Sequence, residues 1–383
     1  MSPKPIQVCL QSQHISNRGG LEKWTRRIAD GFIRRGAEVH MLTSDSSFDQ
    51  ALRPLEHLHP LSAPAQFSHR KMLQFDRKCK LWQKQNKPDL TFGLDRTSSQ
   101  THIRAGNGVH RAYLERRYEC ENYSPFKAAL NPLNKTILKM EQKAFENPDL
   151  KVLFTNSYMV RNEILKYYNV SPDLIEVMHN GADWTGAEKD FNSWVEHKPM
   201  IAKKLRLNPN YYHFLFVGNG YERKGLSILL KALAHIKRED VHLLVVGKDK
   251  NSEKFKQLSK ELGLEKNVSF FGSQGDLTPF YQIADSLVIP SIYDPFANVT
   301  VEALTMGLFV VSSNRNGGHE VLKEESGVII DDLKDIRSNA YALELALRHP
   351  KTWVRSQVIR NGIKHLNLND QLESIIDISL EKL

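Results

Sequence analysis

The chain of 383 residues carries a formal net charge of +9 at pH 7, with 40% hydrophobic and 25% charged residues. This length favours two domains, and the composition excludes a disordered or collagen-like chain. No stretch approaches the ~18 consecutive apolar residues of a membrane span, and the short apolar run near the N-terminus predicts no signal peptide. Three scattered cysteines favour a reducing cytoplasm over a disulfide framework or a zinc site.

The excess positive charge lies in the first half of the chain. Residues 1–180 hold 27 Lys and Arg against 18 Asp and Glu, whereas residues 181–383 hold 26 of each. A basic half indicates an anionic partner, such as a nucleic acid, an acidic membrane surface or a phosphorylated substrate. A solvated surface that keeps the protein soluble explains the same charge equally well.

The first half opens with one β-α-β unit. The apolar run 6–10 predicts a strand, a polar loop leads to Gly19-Gly20, and residues 21–33 have helical periodicity. Further strands are predicted at 39–43, 90–93, 101–105 and 152–156, with long basic stretches at 67–87 and 111–146.

Strands and helices alternate more regularly in the second half. Strands are predicted at 213–217, 241–247, 268–272, 286–290, 309–313 and 328–330. Helices are predicted between them at 226–237, 255–262, 277–284 and 299–306, then a helical turn at 319–322 and a helical tail from about Lys334 that Pro350 interrupts. The polar, irregular stretch 183–210 is the best candidate for a linker.

This alternation predicts an α/β fold with two doubly wound Rossmann-like domains facing each other across a cleft. Helices cover both faces of such a parallel sheet. Ligands bind beyond the carboxyl ends of the strands, so the residues just after each strand are the candidates for chemistry.

Paired glycines, Gly19-Gly20, follow the first predicted strand. Glycines at a strand–helix junction let the backbone approach a ligand closely, and free N–H groups of the following helix attract an anion. The GxGxxG fingerprint is absent, which counts against a dehydrogenase. A tight turn that needs a positive φ is the alternative explanation.

A second glycine-rich turn, residues 218–225, contains the adjacent cations Arg223 and Lys224. An arginine fork and a lysine point charge beside a helix start suit a pyrophosphate. The order of residues is not that of a Walker A loop. Two solvated cations on a surface turn are the alternative explanation.

Two acids, Asp294 and Glu302, lie eight residues apart across a strand–loop–helix junction. An acid in the first turns of a helix that faces a ligand site can accept the hydroxyls of a ribose, and the N–H groups ahead of it can bind phosphates. Alternatively, Glu302 is an acid favoured by the helix dipole and Asp294 a turn residue before Pro295.

These motifs together resemble the family-4 retaining glycosyltransferases of the GT-B fold, in particular members that add glucose to the inner-core heptose of lipopolysaccharide. The resemblance covers about 211–330 nearly end to end and reaches the first half through Gly19-Gly20 and Asn180-Gly181. It implies an acceptor-binding domain at 1–182, a linker at 183–210 and a donor-binding domain at 211–354. A C-terminal helix at about 355–383 is a candidate to pack back on the first domain.

The resemblance also implies roles for residues at the strand ends. The family pattern is Glu-x7-Glu, and Asp294 replaces the first acid, which contacts the transferred sugar; Glu302 takes the place of the second acid, which holds the ribose. Diphosphate, sugar and nucleobase contacts are implied for Gly19, Gly20, Arg223, Lys224, Pro295, Phe296, Ala297, Asn298, Gly272 and Ser273.

Cations and helix N-termini can neutralise a nucleotide diphosphate without a metal ion, so no metal site and no cofactor are expected. Retention in this family is attributed to attack from the front face, which needs no enzymic nucleophile. Candidates for a base near the acceptor hydroxyl are Asp95 and His110. Alternatively, His110 is an ordinary loop histidine, and Asp95 forms an ion pair with Arg96 or Arg104.

The basic first half is expected to bind an anionic glycolipid and the membrane surface. Within 67–87, Met72, Phe75, Cys79 and Trp82 share one helix face, as in a basic amphipathic helix on an anionic leaflet. Packing of that face on the domain's own core is the alternative. Cations expected to contact the acceptor or the membrane are Lys78, Lys80, Lys84, Arg104 and Arg111.

The resulting hypothesis is a hexosyltransferase that moves glucose from UDP-glucose to lipopolysaccharide inner-core heptose or a similar anionic glycan. It is expected in the cytoplasm at the inner face of the membrane, without nucleic acid as a partner. A different lipid-linked or small acceptor, or a catalytically degenerate protein that binds nucleotide-sugar or membrane, remains open.

Overall fold

The computed structural model describes residues 4–15, 20–45, 57–61, 65–121 and 124–383, and only the backbone of residues 20–23. The chain divides into two compact units. The first unit is Met1–Met178 together with Asn369–Leu383, and the second is His179–Leu368.

Strands and helices alternate in the first unit. Its elements are β1 (Gln7–Gln11), α1 (Gly20–Arg34), β2 (Glu38–Thr43), β3 (His57–Pro60), α2 (Ser68–Asn86), β4 (Leu90–Gly93), β5 (His102–Arg104), α3 (His110–Glu121), α4 (Pro125–Leu130), α5 (Pro132–Phe145), β6 (Val152–Thr155), α6 (Tyr158–Tyr167) and β7 (Ile175–Val177). The described strands form a seven-stranded parallel sheet of order β3-β2-β1-β4-β5-β6-β7. The order reverses between β1 and β4, which is where a doubly wound sheet opens a crevice.

The second unit repeats this architecture. Its elements are α7 (Glu188–Asn192), α8 (Trp194–Leu205), β8 (Tyr212–Val217), α9 (Leu226–Ile236), β9 (Val241–Val246), α10 (Ser252–Glu261), β10 (Val268–Gly272), α11 (Thr278–Ile283), β11 (Ser286–Ile289), α12 (Asn298–Thr305), β12 (Phe309–Ser313), β13 (Gly327–Ile330), α13 (Ile336–Leu347) and α14 (Trp353–Gly362). The described strands form a six-stranded parallel sheet of order β10-β9-β8-β11-β12-β13, which reverses between β8 and β11. The predicted pair of doubly wound domains is therefore confirmed.

The stretch 183–210, expected to be a linker, is largely helical and belongs to the second unit. Its surface residues are polar, but three apolar side chains on α7 and α8 are buried and anchor the segment to the unit: Phe191, Trp194 and Ile201. Anchors of this kind bury enough apolar area to hold a segment on a domain. The prediction of an irregular linker was wrong.

Helix α2 packs its apolar face on the sheet of its own unit. Phe75 and Cys79 are fully buried in a cluster with Cys9 and Leu42, and Trp82 packs against the same cluster. The expectation that this face lies on a membrane is therefore wrong, because the core already covers it. The opposite face of α2 is exposed to solvent.

The last helix, α15 (Leu368–Glu381), packs on the first unit. Arg34 and Arg35 at the end of α1 both form ion pairs with Glu373, at 2.7 Å each. His102 on β5 sits beneath the same helix, and its Nε2–H donates to the carbonyl of Ser379 at 3.1 Å. Its Nδ1 lies 2.8 Å from the Thr101 hydroxyl, which donates to it.

The buried imidazole of His102 makes the first unit sensitive to acid. Burial lowers the pKa of His102 from 6.5 to about 4. The unfolded chain therefore takes up a proton between pH 6.5 and about 4 that the folded chain does not, and the unfolding free energy falls as pH drops through that window. The expected slope is about 1.4 kcal/mol per pH unit for this one group.

Urea denaturation of the parent, of His102→Gln and of the exposed control His365→Gln, at steps between pH 7.5 and 4, tests this expectation. His102→Gln should reduce the pH slope of the unfolding free energy by up to about 1.4 kcal/mol per pH unit, since glutamine does not titrate, and His365→Gln should leave it unchanged. Equal slopes in all three proteins would contradict it.

None of the described helices combines the length and the apolar character needed to cross a membrane.

Candidate functional site

The loops that follow β8 and β11 meet at the reversal point of the second sheet. The N–H of Ile292 donates to the carbonyl of Arg223 at 2.9 Å, which joins the two loops directly. Gly225 fits against the backbone of Pro290, because a Cβ on Gly225 would lie 1.9 Å from that carbonyl oxygen. This convergence of strand ends is the arrangement in which doubly wound folds bind ligands.

The turn 218–225 is held from below by the loop after β9. The N–H of Tyr221 donates to Asp249 Oδ2 at 2.7 Å, and its buried hydroxyl donates to the carbonyl of Gly247 at 2.8 Å. Asn219 Oδ1 accepts the N–H of Lys248 at 2.9 Å. The turn that carries the two cations is thus a rigid part of the unit.

Replacing Gly225 with alanine is expected to cost about 3 kcal/mol or more of unfolding free energy, because its φ is +81° and the added Cβ would collide with Pro290. Gly220→Ala is the matched control: its φ is +72°, but a Cβ there meets open space. It should lose only about 1 kcal/mol. Chemical denaturation measures the unfolding free energy of both variants. Equal losses of unfolding free energy would refute the steric argument.

Asp294 forms one charge cluster with both cations. Its Oδ2 lies 2.8 Å from Arg223 Nη1 and 2.6 Å from Lys224 Nζ. Asp294 and Lys224 are buried, whereas the Arg223 side chain is 36% exposed. Burial would raise the pKa of Asp294, but the charges of Lys224 and Arg223 outweigh it and hold that pKa below 3.8. Asp294 is therefore ionised at neutral pH.

The loop Pro295–Asn298 leads into the N-terminus of α12. Ala297 is its N-cap and lacks a side-chain cap bond, and Asn298 is exposed. Within the described residues, the N–H groups of Asn298 and Val299 have no acceptor. Unpaired N–H groups in a first helical turn attract an anion.

Glu302 is the fifth residue of α12 and contacts the neighbouring helix α11. The hydroxyl of Tyr281 donates to Glu302 Oε2 at 2.7 Å. Burial, and next the charge of Glu302, raise the pKa of Tyr281 far above 10, so Tyr281 stays a donor. The carboxylate is thereby held in a fixed position.

Asn316 is a site residue that the sequence analysis missed. It is fully buried, and its Oδ1 accepts the N–H groups of Ala297 at 3.0 Å and Gly318 at 3.1 Å. Its Nδ2 donates to the Ser312 hydroxyl at 2.9 Å. One amide thus fixes the loop before α12 to the turn after β12. An asparagine directly ahead of Gly317-Gly318 was the available signal.

Asn180 and Gly181 belong to the second unit, and Asn180 contacts the start of α12. Asn180 Nδ2 donates to Asn298 Oδ1 at 2.6 Å. A Cβ on Gly181 would lie 2.8 Å from the backbone of Leu366 and Leu368, which explains the glycine by close packing. Asn180 thus helps to position the start of α12, whereas Gly181 packs against the segment that leads into the last helix.

Gly272 and Ser273 are exposed at the carboxyl end of β10, the edge strand of the sheet. Gly272 has a φ of +67°, and its carbonyl accepts the N–H of Gly247 at 2.8 Å. Their expected contact with a nucleobase stays a prediction.

In the first unit, Asp95 follows β4 at the reversal point of the sheet. Its Oδ1 accepts the N–H of Arg96 at 2.7 Å, while the Arg96 side chain pairs with the buried Glu141. Gly20 begins α1 after the neighbouring strand, and Gly19 lies outside the described residues. Asp95 borders a cavity of about 30 Å³, which has room for about one water molecule and not for a sugar.

His110 is the buried first residue of α3 rather than a loop residue. Its backbone N–H donates to both oxygens of Glu141, at 3.1 and 3.0 Å, and its Nε2 lies 3.0 Å from Asn134 Oδ1. Because Asn134 Nδ2 donates to Ala128, its Oδ1 is the acceptor and His110 carries its proton on Nε2. Burial lowers the pKa of His110 to about 4. These contacts suit a structural role, and a role as base stays a prediction.

The basic residues expected at a membrane or acceptor divide into two groups. Lys80 pairs with Asp76 at 2.9 Å and donates to Ser98 at 2.7 Å, and Arg104 stacks on Trp24 with 4.2 Å to the ring centroid. Both face their own domain, contrary to expectation, because a buried acid and an indole hold them there. Lys84 and Arg111 are exposed, and Lys78 is half-buried.

Two family models match the chain. Residues 18–184 match the model described as Glycosyltransferase Family 4, and residues 197–365 match Glycosyl transferases group 1. The two halves of the chain thus match two glycosyltransferase domain models, which confirms the expectation of a glycosyltransferase.

Curated relatives agree at low identity. An uncharacterized glycosyltransferase of Methanocaldococcus jannaschii is 30% identical over 216 residues, which cover 55% of this chain and 54% of that protein. The lipopolysaccharide glucosyltransferase WaaG of Escherichia coli is 29% identical over 171 residues, or 43% and 44% of the two chains. The chain thus spans about half the length of the curated relatives it matches.

Solved structures agree in fold. The crystal structure of WaaG, a glycosyltransferase involved in lipopolysaccharide biosynthesis, has a TM-score of 0.78 at 20% identity and covers 97% of this chain and 99% of its own. Anabaena HepE in complex with UDP and glucose has a TM-score of 0.69 at 17% identity and covers 99% and 100%. These likenesses establish the GT-B fold.

Proposed function

We propose that the protein is a retaining, metal-independent hexosyltransferase that transfers glucose from UDP-glucose to the heptose of a lipopolysaccharide inner core or to a similar anionic glycan. The observation that carries the proposal is the arrangement at the reversal point of the second sheet. There Arg223 and Lys224 both contact Asp294. The helix α12 comes next in the chain; its first turn has N–H groups without an acceptor among the described residues, and it carries Glu302.

The donor chemistry follows from charge. A nucleoside diphosphate leaves readily once its negative charge is neutralised, which Arg223, Lys224 and the N-terminus of α12 can do without a metal ion. Glu302, held by Tyr281, accepts the ribose hydroxyls. Asp294 positions the two cations and contacts the transferred sugar. The UDP-bound relative HepE supports UDP as the nucleotide.

The acceptor chemistry belongs to the first unit. Asp95 is the better candidate for the base, because it lies at a strand end at the reversal point, whereas His110 is tied to Asn134 and Glu141. A pocket of about 510 Å³ on this unit is lined by Arg111, Lys135 and Lys139, which suit the phosphates of an inner-core glycan. The relationship to WaaG supports this acceptor class.

A donor screen followed by a transfer assay tests the proposal. Thermal shift with UDP-, GDP- and ADP-sugars is expected to select UDP-glucose, and incubation with heptose-terminated lipopolysaccharide should release UDP in the presence of EDTA. Transfer to a different lipid-linked or small acceptor would contradict the proposed acceptor and leave the proposed donor unchanged. Donor binding without transfer to any acceptor would favour a catalytically degenerate protein.

Peripheral membrane contact is proposed for the outer face of α2. Arg70, Arg77 and Lys84 are exposed there, and Leu73 and Leu81 are 49% and 52% exposed beside them. Because each cation near an anionic leaflet contributes about 1 kcal/mol, the triple variant Arg70→Ala/Arg77→Ala/Lys84→Ala should bind anionic vesicles roughly 100-fold more weakly at low salt.

Vesicle co-sedimentation measures this difference. The matched control is Lys203→Ala/Lys204→Ala/Lys266→Ala, which removes three exposed cations from the second unit. Equal binding of the parent and the α2 variant would rule out this surface as the membrane contact.

A further inference from the structure

A cluster of histidines and one glutamate lies on the two outer strands of the first sheet. Glu38 and His40 are on β2, and His57 and His59 are on β3. His40 is the register partner of His57 in this parallel pair. Since alternate residues of a strand share a face, Glu38, His40 and His57 point to the same side of the sheet.

The spacing of their polar atoms matches the coordination sphere of a small metal ion. Glu38 Oε1 lies 3.3 Å from His40 Nε2 and 3.4 Å from His57 Nε2, and one ligand atom from each of the three residues lies within 4.8 Å of the others. Tetrahedral zinc with bonds of about 2.0–2.1 Å separates neighbouring ligand atoms by about 3.3 Å. We infer that Glu38, His40 and His57 bind a divalent first-row transition metal ion, with zinc the best match to two imidazoles and a carboxylate.

A second layer of contacts orients these ligands. His40 Nδ1 lies 3.2 Å from His59 Nε2, so a proton on His40 Nδ1 leaves its Nε2 lone pair directed to the cluster. Gln7 Nε2 donates to Glu38 Oε2 at 3.4 Å, which leaves Oε1 facing the histidines. Trp82 packs against the rings of His40 and His59, at 5.2 and 5.1 Å between centroids. Such outer contacts are what hold imidazole ligands in metal sites.

The site is accessible to an ion from solvent. The side chains of His57 and Glu38 are 41% and 29% exposed, whereas that of His40 is 13% exposed. Three protein ligands leave the fourth position of a tetrahedral ion to water. An ion can therefore enter without opening the core.

Its position indicates a structural ion rather than a catalytic one. Glu38 is the first residue of β2 and His57 the first residue of β3, so the cluster lies towards the amino ends of the strands. Substrates of doubly wound sheets bind at the carboxyl ends. A metal here would join the edge strand β3 to β2 and would stabilise the unit without taking part in transfer, in keeping with a metal-independent reaction.

The inference is tested by calorimetric titration of the tag-free chain of 383 residues with zinc chloride, after treatment with EDTA and its removal. The expected result is one zinc ion per chain with a Kd below about 1 µM, and a raised Tm that EDTA reverses. His57→Ala and Glu38→Gln should each weaken binding about 100-fold, and His59→Gln about 10-fold because it acts through His40.

His14→Ala is the matched control, because His14 also pairs with one carboxylate, Asp45 at 2.9 Å, in the same unit. It should leave zinc binding unchanged. Cobalt gives an independent readout: four-coordinate cobalt should show strong visible absorption in the parent and lose it in Glu38→Gln. No zinc binding tighter than about 100 µM, or unchanged binding in both His57→Ala and Glu38→Gln, would overturn the inference whether or not transferase activity is found.

Discussion

Replacing Glu302 with alanine is expected to raise the KM for the nucleotide-sugar about 100-fold while leaving kcat within about threefold of the parent value. Hydrogen bonds to a charged group contribute about 1.5–3 kcal/mol, and the variant removes the carboxylate proposed to accept the ribose hydroxyls. The ribose is remote from the bond that breaks, so its contacts are equally strong in the ground and transition states. Loss of such uniform binding changes KM rather than kcat.

The decisive measurement compares UDP with 2′-deoxy-UDP by calorimetry. The parent should prefer UDP, and Glu302→Ala should bind both equally weakly. Tyr281→Phe, which removes the hydroxyl that holds Glu302 at 2.7 Å, should raise KM about 10-fold because the carboxylate is less well oriented.

Glu253→Ala is the matched control for these measurements. It removes an acid from the first turn of α10 whose side chain is 82% exposed, and it should change nothing. A Glu302→Ala protein that still prefers UDP over the deoxy compound would show that the ribose binds elsewhere.

The regular part of both sheets could be predicted from sequence because its strands are short apolar runs that alternate with segments of helical periodicity. The β3 strand could not: His57-Leu58-His59-Pro60 contains one large apolar residue, and only pairing with β2 makes it a strand. Helix α8 could not be predicted from sequence because Pro199 lies inside it and its buried apolar residues are widely spaced. In both cases the deciding contacts are long-range, and no local pattern encodes them.

The candidate site divides in the same way. Strand ends converge in any doubly wound sheet, so Arg223, Lys224 and Glu302 could be located near one another from the order of elements alone. The contact of both cations with Asp294 joins residues 70 or more positions apart, and a sequence gives no distance between them. The same holds for Glu38 and His57, which only strand register brings together.

The contact of Asp294 with Lys224 makes stability and activity separable. Asp294→Asn is expected to lower the unfolding free energy of the second unit by about 3–5 kcal/mol, because it leaves the charge of Lys224 buried without compensation. Lys224→Met should cost a similar amount by leaving Asp294 buried and ionised. The double variant removes both buried charges at nearly constant volume and should recover most of the loss, since a buried ion pair is worth little more than well-packed apolar groups.

Activity should not recover with stability. The double variant lacks the cation proposed to bind the diphosphate and the acid proposed to contact the sugar, so its kcat/KM is expected to stay at least about 1000-fold below that of the parent. Asp240→Asn is the matched control, because it breaks the exposed pair of Asp240 with Arg238 in the same unit, and it should cost at most about 1 kcal/mol. Urea denaturation and initial-rate kinetics on the parent, the two single variants, the double variant and the control separate the two effects. A double variant as unstable as Asp294→Asn would mean that the cluster is held by more than this charge pair, and one that regained activity would mean that neither group touches the donor.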